Sequence, residues 1–209
     1  MPDEKSRIQT AVLIRTLIED VIAARRRLEA ADTQTARRDV VRASLAAMEG
    51  EVWLMREHVR ASLMSLDDLS PLADLALREA TYTINEKGQI TEQPRSVPLQ
   101  VAVRLVVAQA QIICPELSVH FAGAGWSNLR SAVDVRNRIT HPRPGRDLDV
   151  SDDDLRIIAS GLNWLVATAN YIMASTNLTL VRAKEFMEQL LAGDPKALDE
   201  YNTALDQNE

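Results

Sequence analysis

The sequence predicts an all-α protein, a bundle of long antiparallel helices. Its 209 residues include only seven glycines and eight prolines, whereas average usage would give roughly fifteen and ten. Helix breakers are therefore sparse, and long helices are expected between them. Apolar residues recur at steps of three and four along most of the chain, and no segment alternates cleanly as a half-buried strand does. These patterns disfavour a β-rich fold.

The first two helices are predicted from apolar periodicity. One runs to about Ala31 and ends at the polar residues 32–35. The other ends near Leu66, and its alternating spacings of four and three are typical of a helix packed lengthwise against another. The apolar positions are Ala11, Ile14, Leu17, Ile18, Val21, Ile22 and Leu28 in the first helix, and Val41, Leu45, Met48, Val52, Met55 and Val59 in the second.

Proline and glycine set the limits of a third helix. Ser70 and Pro71 supply a cap and a first-turn proline, and we expect the helix to continue to Lys87-Gly88. A polar loop with Pro94 and Pro98 follows.

Two further helices precede the most charged loop of the chain. Residues 99–114 carry one charge, Arg104, and apolar residues on all sides, so we expect this helix at the centre of the bundle. Pro115 ends it, and the connector FAGAGW leads to a fifth helix over about residues 126–140.

The sixth helix is predicted to be the longest. Ser151 is a cap, the three aspartates that follow it favour the helix dipole, and the helix reaches Leu191 with some bend. Residues 193–195, Gly-Asp-Pro, stop it and begin a short last helix.

An uncharged run over residues 157–181 is long enough to suggest a membrane span of about 20 residues. Polar residues interrupt it, so we interpret it as a buried helix of a cytoplasmic protein. Residues 1–10 lack the apolar core of a secretion signal, and the single cysteine offers no disulfide. Asn163, Asn170 and Asn177 form one stripe of this helix, which is either a polar seam against a partner or a solvated face.

Charge restricts nucleic-acid binding to a local patch. Thirty acidic residues against 24 basic ones give a net charge of -6, so no global field attracts nucleic acid. Residues 126–146, however, hold five arginines against one acid, Asp134. This segment is the candidate anion site.

Arg136 is unusual because helical steps place it on an apolar face, below Trp126, Leu129 and Val133. Arg136 either extends to solvent or pairs with an acid. Alternatively, this face contacts a partner subunit, and Arg136 reaches an anion that the two subunits share. Residues Asn137 and His141 are four apart, and Pro142 places His141 at the helix C-terminus.

Residues 136–141, Arg-Asn-Arg-Ile-Thr-His, resemble the R-x4-6-H motif of HEPN domains, including the polar residue directly after the arginine. The all-helical setting agrees. We therefore expect a HEPN-like helical domain over residues 1–191 and a short C-terminal helix and tail over residues 192–209.

The resemblance implies a homodimer whose motifs face each other across a cleft and, in active members, cleavage of RNA without a metal or other cofactor. Such members include toxins of toxin–antitoxin systems and phage-defence nucleases. Attack by the 2′-hydroxyl of RNA needs a base, an acid and cations on the phosphate. Two copies of the histidine would share the acid and base duties, the arginine would stabilise the phosphorane, and the asparagine would orient the reacting groups. The expected catalytic residues are Arg136, Asn137 and His141, and the expected RNA contacts are Arg130, Arg138, Arg143 and Arg146.

A second hypothesis is a non-catalytic regulatory or scaffold protein that binds a partner protein, such as an antitoxin, or a nucleotide through the same groove. The other candidate residues are weak. His58 lies outside an H-E-x-x-H pattern, His120 has only Glu116 as a neighbouring ligand, and Cys114 is expected to be a small buried hydrophobe.

Overall fold

A computed structural model describes the backbone of residues 4–206 and the side chains of residues 12–203. Over these residues the chain is an all-α bundle, as predicted, and it also contains a small hairpin that was not predicted. The helices are α1 (Glu4–Ala30), α2 (Gln34–Ser65), α3 (Pro71–Leu77), α4 (Leu99–Ile113), α5 (Ala124–Thr140), α6 (Asp152–Leu191) and α7 (Pro195–Asp206); the strands are β1 (Ala80–Ile84) and β2 (Ile90–Pro94); and a 3-10 turn spans Gly145–Leu148. The Ala11 side chain and residues 207–209 of the predicted tail lie outside the described residues.

Side-chain caps explain where two of the long helices begin. The Thr33 hydroxyl accepts a hydrogen bond from the Ala36 N–H at 3.2 Å at the start of α2. At the start of α6, Ser151 Oγ accepts from the Asp154 N–H at 3.1 Å, and the Asp154 carboxylate accepts from the Ser151 N–H at 2.9 Å. This reciprocal capping box satisfies two of the unpaired donors of the first turn. The predicted start of the sixth helix is confirmed, and Gly193, with φ of 75°, follows its end.

The predicted third helix is wrong beyond Leu77. The chain instead forms the antiparallel pair β1 and β2. In the turn between them the side-chain Oδ1 of Asn85 accepts from the backbone N–H groups of Lys87 and Gln89, each at 3.0 Å, and Gly88 has φ of 73°. Both strands are largely exposed. Residues 80–84, Ala-Thr-Tyr-Thr-Ile, do alternate apolar and polar side chains and have a β-favouring composition, so the expectation that no segment alternates is wrong over this short stretch.

Helix α2 is the central element, because it packs on α1, α4, α5 and α6. At the start of α2 the Gln34 side chain hydrogen-bonds Val150, which directly precedes α6. Near the end of α2, His58 hydrogen-bonds Thr176, which lies further along α6, so α2 and α6 run in the same direction. Helices α5 and α6 follow each other in the chain and pack antiparallel. The largest fully buried side chains of this core include Met48, Met55, Leu63, Leu129, Leu165 and Ile172.

Helix α4 is covered on one side only, so the expectation of a fully central helix is wrong. Val101 and Ile112 are 53% and 50% exposed. The exposed side also carries Arg104, Ala108 and Gln111, which follow one another at helical steps of four and three. Arg104 nevertheless contributes to the packing, because its Cζ lies 4.4 Å from the ring centroid of Phe121 and 5.1 Å from that of Trp126.

Helix α6 is long and apolar enough to cross a membrane by length and composition, with a mean hydropathy of 1.3 over its most apolar window. Core helices of globular proteins pass the same test, and α6 packs on both α2 and α5. Asn163, Asn170 and Asn177 are all exposed. Their stripe is therefore open to a partner and to solvent alike.

Candidate active site

The last two turns of α5 place the motif residues at the edge of the buried core. Val135 and Ile139 point into the bundle and are 7% and 2% exposed. The helical period then leaves Arg136 half-buried, and Asn137 exposed to solvent. Packing of the apolar positions thus fixes the side of the helix on which the polar groups lie.

Arg136 bridges two helices. Its Nη1 donates to Asn137 Oδ1 at 3.1 Å, and its Nη2 donates to Glu49 Oε1 on α2 at 3.1 Å. The side chains of Arg136 and Glu49 are 37% and 54% exposed. Within one chain, Arg136 therefore pairs with an acid, which is one of the alternatives left open by the sequence.

His141 caps the C-terminal end of α5. Its backbone N–H donates to the Asn137 carbonyl at 3.0 Å, which completes the last helical turn. The next residue, Pro142, has no N–H and cannot continue the helix. The imidazole is exposed, and no described side chain hydrogen-bonds to it. Asn137 and His141 are thus one turn apart at the same end of α5.

Arg136 and Asn137 also line a pocket of about 320 Å³. It lies between α2, α5 and the segment that enters α4. Its apolar lining comes from Leu45, Val97, Pro98, Leu99 and Val133, and its polar lining from Glu49, Ser96, Gln100 and Asp134 besides the two motif residues. His141 does not line this pocket.

Arg138 is engaged inside the chain. Its Nη1 donates to the carbonyls of Asp147 and Asp149, and its Nη2 donates to the Asp154 carboxylate at 2.9 Å. The guanidinium thus ties α5 to the loop and to the first turn of α6. This geometry points to a structural role for Arg138 more than to the expected RNA contact.

The other three arginines that were expected to contact RNA are Arg130, Arg143 and Arg146, and all three are exposed. Arg146 lines a separate, larger groove. The carboxylates in this groove belong to Asp32, Asp149, Asp152 and Asp154, and the other two bases are Arg37 and Arg138. Arg130 and Arg143 do not line this groove.

The two remaining histidines and the cysteine have ordinary structural surroundings. His58 Nε2 lies 2.7 Å from Thr176 Oγ1, and burial lowers the pKa of its imidazole. His120 is exposed, and Cys114 is buried as expected. Within residues 12–203, no group of three or more His, Cys, Asp or Glu side chains is arranged to hold a metal ion.

Sequence reasoning missed the acidic partners of the motif. Glu49 lies 87 positions from Arg136, so no local pattern connects them. Asp154 was recognised as a helix-start residue, but its ion pair with Arg138 was not. The position of Asp134 in the pocket likewise depends on how α5 packs beside the segment that enters α4.

No protein-family model matches the chain, and comparisons with curated proteins and with solved structures find no significant match. The resemblance to HEPN domains therefore depends on residues 136–141 and on the all-helical setting alone.

Proposed function

We propose that the chain is a metal-independent cytoplasmic endoribonuclease of HEPN type, a toxin or phage-defence enzyme whose composite site lies across a homodimer interface. One observation carries the proposal. The Arg136 guanidinium is hydrogen-bonded to the Asn137 amide beside an open pocket, and the exposed His141 lies one turn further along α5. A cation, an amide and an imidazole thus all reach solvent at one end of the same helix.

These groups suit cleavage of RNA by its own 2′-hydroxyl. In this reaction the 2′-oxygen attacks phosphorus, the bond from phosphorus to the 5′-oxygen breaks, and the products are a 2′,3′-cyclic phosphate and a 5′-hydroxyl. One His141 takes the proton from the 2′-hydroxyl, and His141 of the second copy donates a proton to the leaving oxygen. Arg136 stabilises the extra negative charge on the phosphorane. The Asn137 amide nitrogen remains free to donate, because its oxygen is held by Arg136.

The ion pair with Glu49 does not prevent Arg136 from binding a phosphate. Both side chains are partly exposed, and exposed pairs contribute only about 0–1 kcal/mol. A bidentate contact between an arginine and a phosphate is charge-assisted and replaces such a pair at little cost. Glu49 therefore holds Arg136 in position until RNA binds.

The test is cleavage of RNA by the purified protein in excess EDTA. We expect His141→Ala to reduce the rate by about 100-fold or more, the scale of general acid–base catalysis. Arg136→Ala should cost a comparable factor, because a charge-stabilising donor acts in the transition state. His120→Ala, which alters an exposed histidine elsewhere, is the matched control and should leave the rate unchanged.

Sedimentation of each variant should show the same oligomeric state as the parent protein. If both motif variants cleave RNA as fast as the parent protein, the activity comes from a contaminating nuclease and the proposed function is wrong.

The internal bonds of Arg136 and Arg138 favour a second candidate function, a non-catalytic regulatory or scaffold protein. Both guanidinium groups already have partners within the chain. A purified protein that cleaves no RNA, yet retains one specific partner in a pulldown, would support this function over catalysis.

A further inference from the structure

The pocket beside Arg136 has the composition of a site for a flat, partly polar molecule. Its volume of about 320 Å³ is at the lower end of the range of roughly 300–1,000 Å³ that is typical of small-molecule sites. Val97, Pro98 and Val133 supply apolar surface, and amide and carboxylate groups supply hydrogen-bonding capacity. An aromatic base with polar edges matches both parts of this lining.

The two carboxylates of the pocket differ in their availability. Glu49 is engaged by Arg136 at 3.1 Å. Asp134 is exposed and makes no hydrogen bond or ion pair with any described side chain. It lies one turn before Asn137 on α5, so a free carboxylate and the Arg136–Asn137 pair border the same pocket.

A free carboxylate distinguishes the four RNA bases by their Watson–Crick edges. It accepts hydrogen bonds only. Guanine presents two adjacent donors, N1–H and the exocyclic amine, which match the two oxygens of a carboxylate. Adenine, cytosine and uracil each place at least one acceptor beside a donor on that edge, and a carboxylate repels an acceptor. Gln100 also lines the pocket and carries an amide N–H that suits guanine O6.

We propose that this pocket binds a guanine base, with the Asp134 carboxylate accepting its N1–H and amine hydrogens. The phosphate attached to that nucleotide then lies at Arg136 and Asn137, so Asp134 selects the base next to the bond that is cleaved. The choice of RNA as substrate rests on the proposed function, but binding of the base does not require cleavage.

The test is a calorimetric titration of the purified protein, in EDTA, with each of the four nucleoside 3′-monophosphates. We expect the guanosine compound to bind at least tenfold more tightly than the adenosine compound. Asp134→Asn should remove this preference, because an amide donates where guanine also donates. Asp20→Asn, an exposed aspartate on α1, is the matched control and should leave the preference intact. Because Asp134 is exposed, the variant should fold, and its circular dichroism spectrum checks this.

The outcomes separate this proposal from the nuclease activity. Preferential binding of guanosine monophosphate without RNA cleavage would support the guanine site and contradict the proposed nuclease activity. Cleavage beside all four bases, with equal affinity for the four nucleotides or no detectable binding, would support the nuclease activity and overturn the guanine site. An unchanged preference in Asp134→Asn would overturn the role of that residue.

Discussion

Arg136 combines two tasks that compete for the same guanidinium. It joins α5 to α2 through Glu49, and in the proposed function it also binds the phosphate of RNA beside the pocket that it lines. Because the pair is partly exposed, its contribution to stability is small, about 0–1 kcal/mol. Loss of the ion pair on binding a phosphate would therefore cost the fold little.

His58 gives a pH dependence that can be predicted from its surroundings. Thr176 Oγ1 donates to the Ile172 carbonyl at 2.9 Å, so its oxygen accepts from the Nε2–H of a neutral His58. Burial lowers the pKa of His58 below its ordinary 6.5. As the pH falls below about 6.5 the unfolded chain therefore takes up a proton before the folded chain does, and stability is lost.

We expect the urea midpoint of the parent protein to fall between pH 7.5 and pH 5.5, and to fall less in His58→Gln. His120→Gln is the control, because that histidine is exposed and should leave the dependence unchanged. An identical fall in parent and His58→Gln would show that other groups determine it.

At the scale of elements, the contact between α5 and α6 sets the position of the site. Gly161 on α6 lies against the backbone of α5, and a Cβ there would approach Leu129 Cα at 2.9 Å and Leu129 N at 3.0 Å. Backbone atoms cannot rotate away as a flexible side chain does. The absence of a side chain at Gly161 therefore allows the close approach of these helices.

We expect Gly161→Ala to lower the free energy of unfolding. Overpacking costs about 1–3 kcal/mol, which exceeds the gain of about 1 kcal/mol from the better helix propensity of alanine. Urea denaturation measures the difference. Gly145→Ala is the comparison, since a Cβ there meets no atom within 4 Å and the change should be close to zero. Equal stability of the two variants would contradict the close contact.

The elements that sequence predicted correctly are those with a buried stripe or a cap. The apolar positions of α2 and the capping box of Ser151 determine local structure by themselves. The hairpin after Leu77 was missed because its strands bury little, and Gly88 serves turns and helix ends equally. The exposed side of α4 was missed because the many apolar residues of this helix outweighed Arg104 and Gln111, which lie with Ala108 at helical spacing on that side.

The motif was recognisable from residues 136–141 because its spacing is local. Its acidic partners and its pocket were not, because α2 and the segment before α4 reach it from distant parts of the chain. The chemistry of the candidate site stays a prediction from residues 136–141, whereas the residues that surround it became visible only in the fold.

At the scale of the whole molecule, a composite site makes a prediction about mixed dimers. The His141→Ala dimer lacks both imidazoles, and the Arg136→Ala dimer lacks both guanidinium groups. A mixed dimer keeps one of each. If both motifs serve one phosphate, co-refolding the two inactive variants should restore at least tenfold more cleavage than either alone shows. Restoration would be partial, because a single imidazole must serve as both acid and base.

The control mixes His141→Ala with the double variant His141→Ala and Arg136→Ala, which supplies no imidazole and should stay inactive. No gain in the first mixture would mean that the two motifs do not act on a common phosphate.

The bonds made by Arg138 have a consequence for the loop over residues 141–150. Arg138 fastens this loop to α6 through Asp154, and Gln34 hydrogen-bonds both the N–H and the carbonyl of Val150 at its far end. These contacts lie at the end of the loop that leads into α6, and surface loops tolerate changes of length at little cost. A change of length over residues 142–144 should therefore leave His141 at the end of α5 and the start of α6 in their present positions.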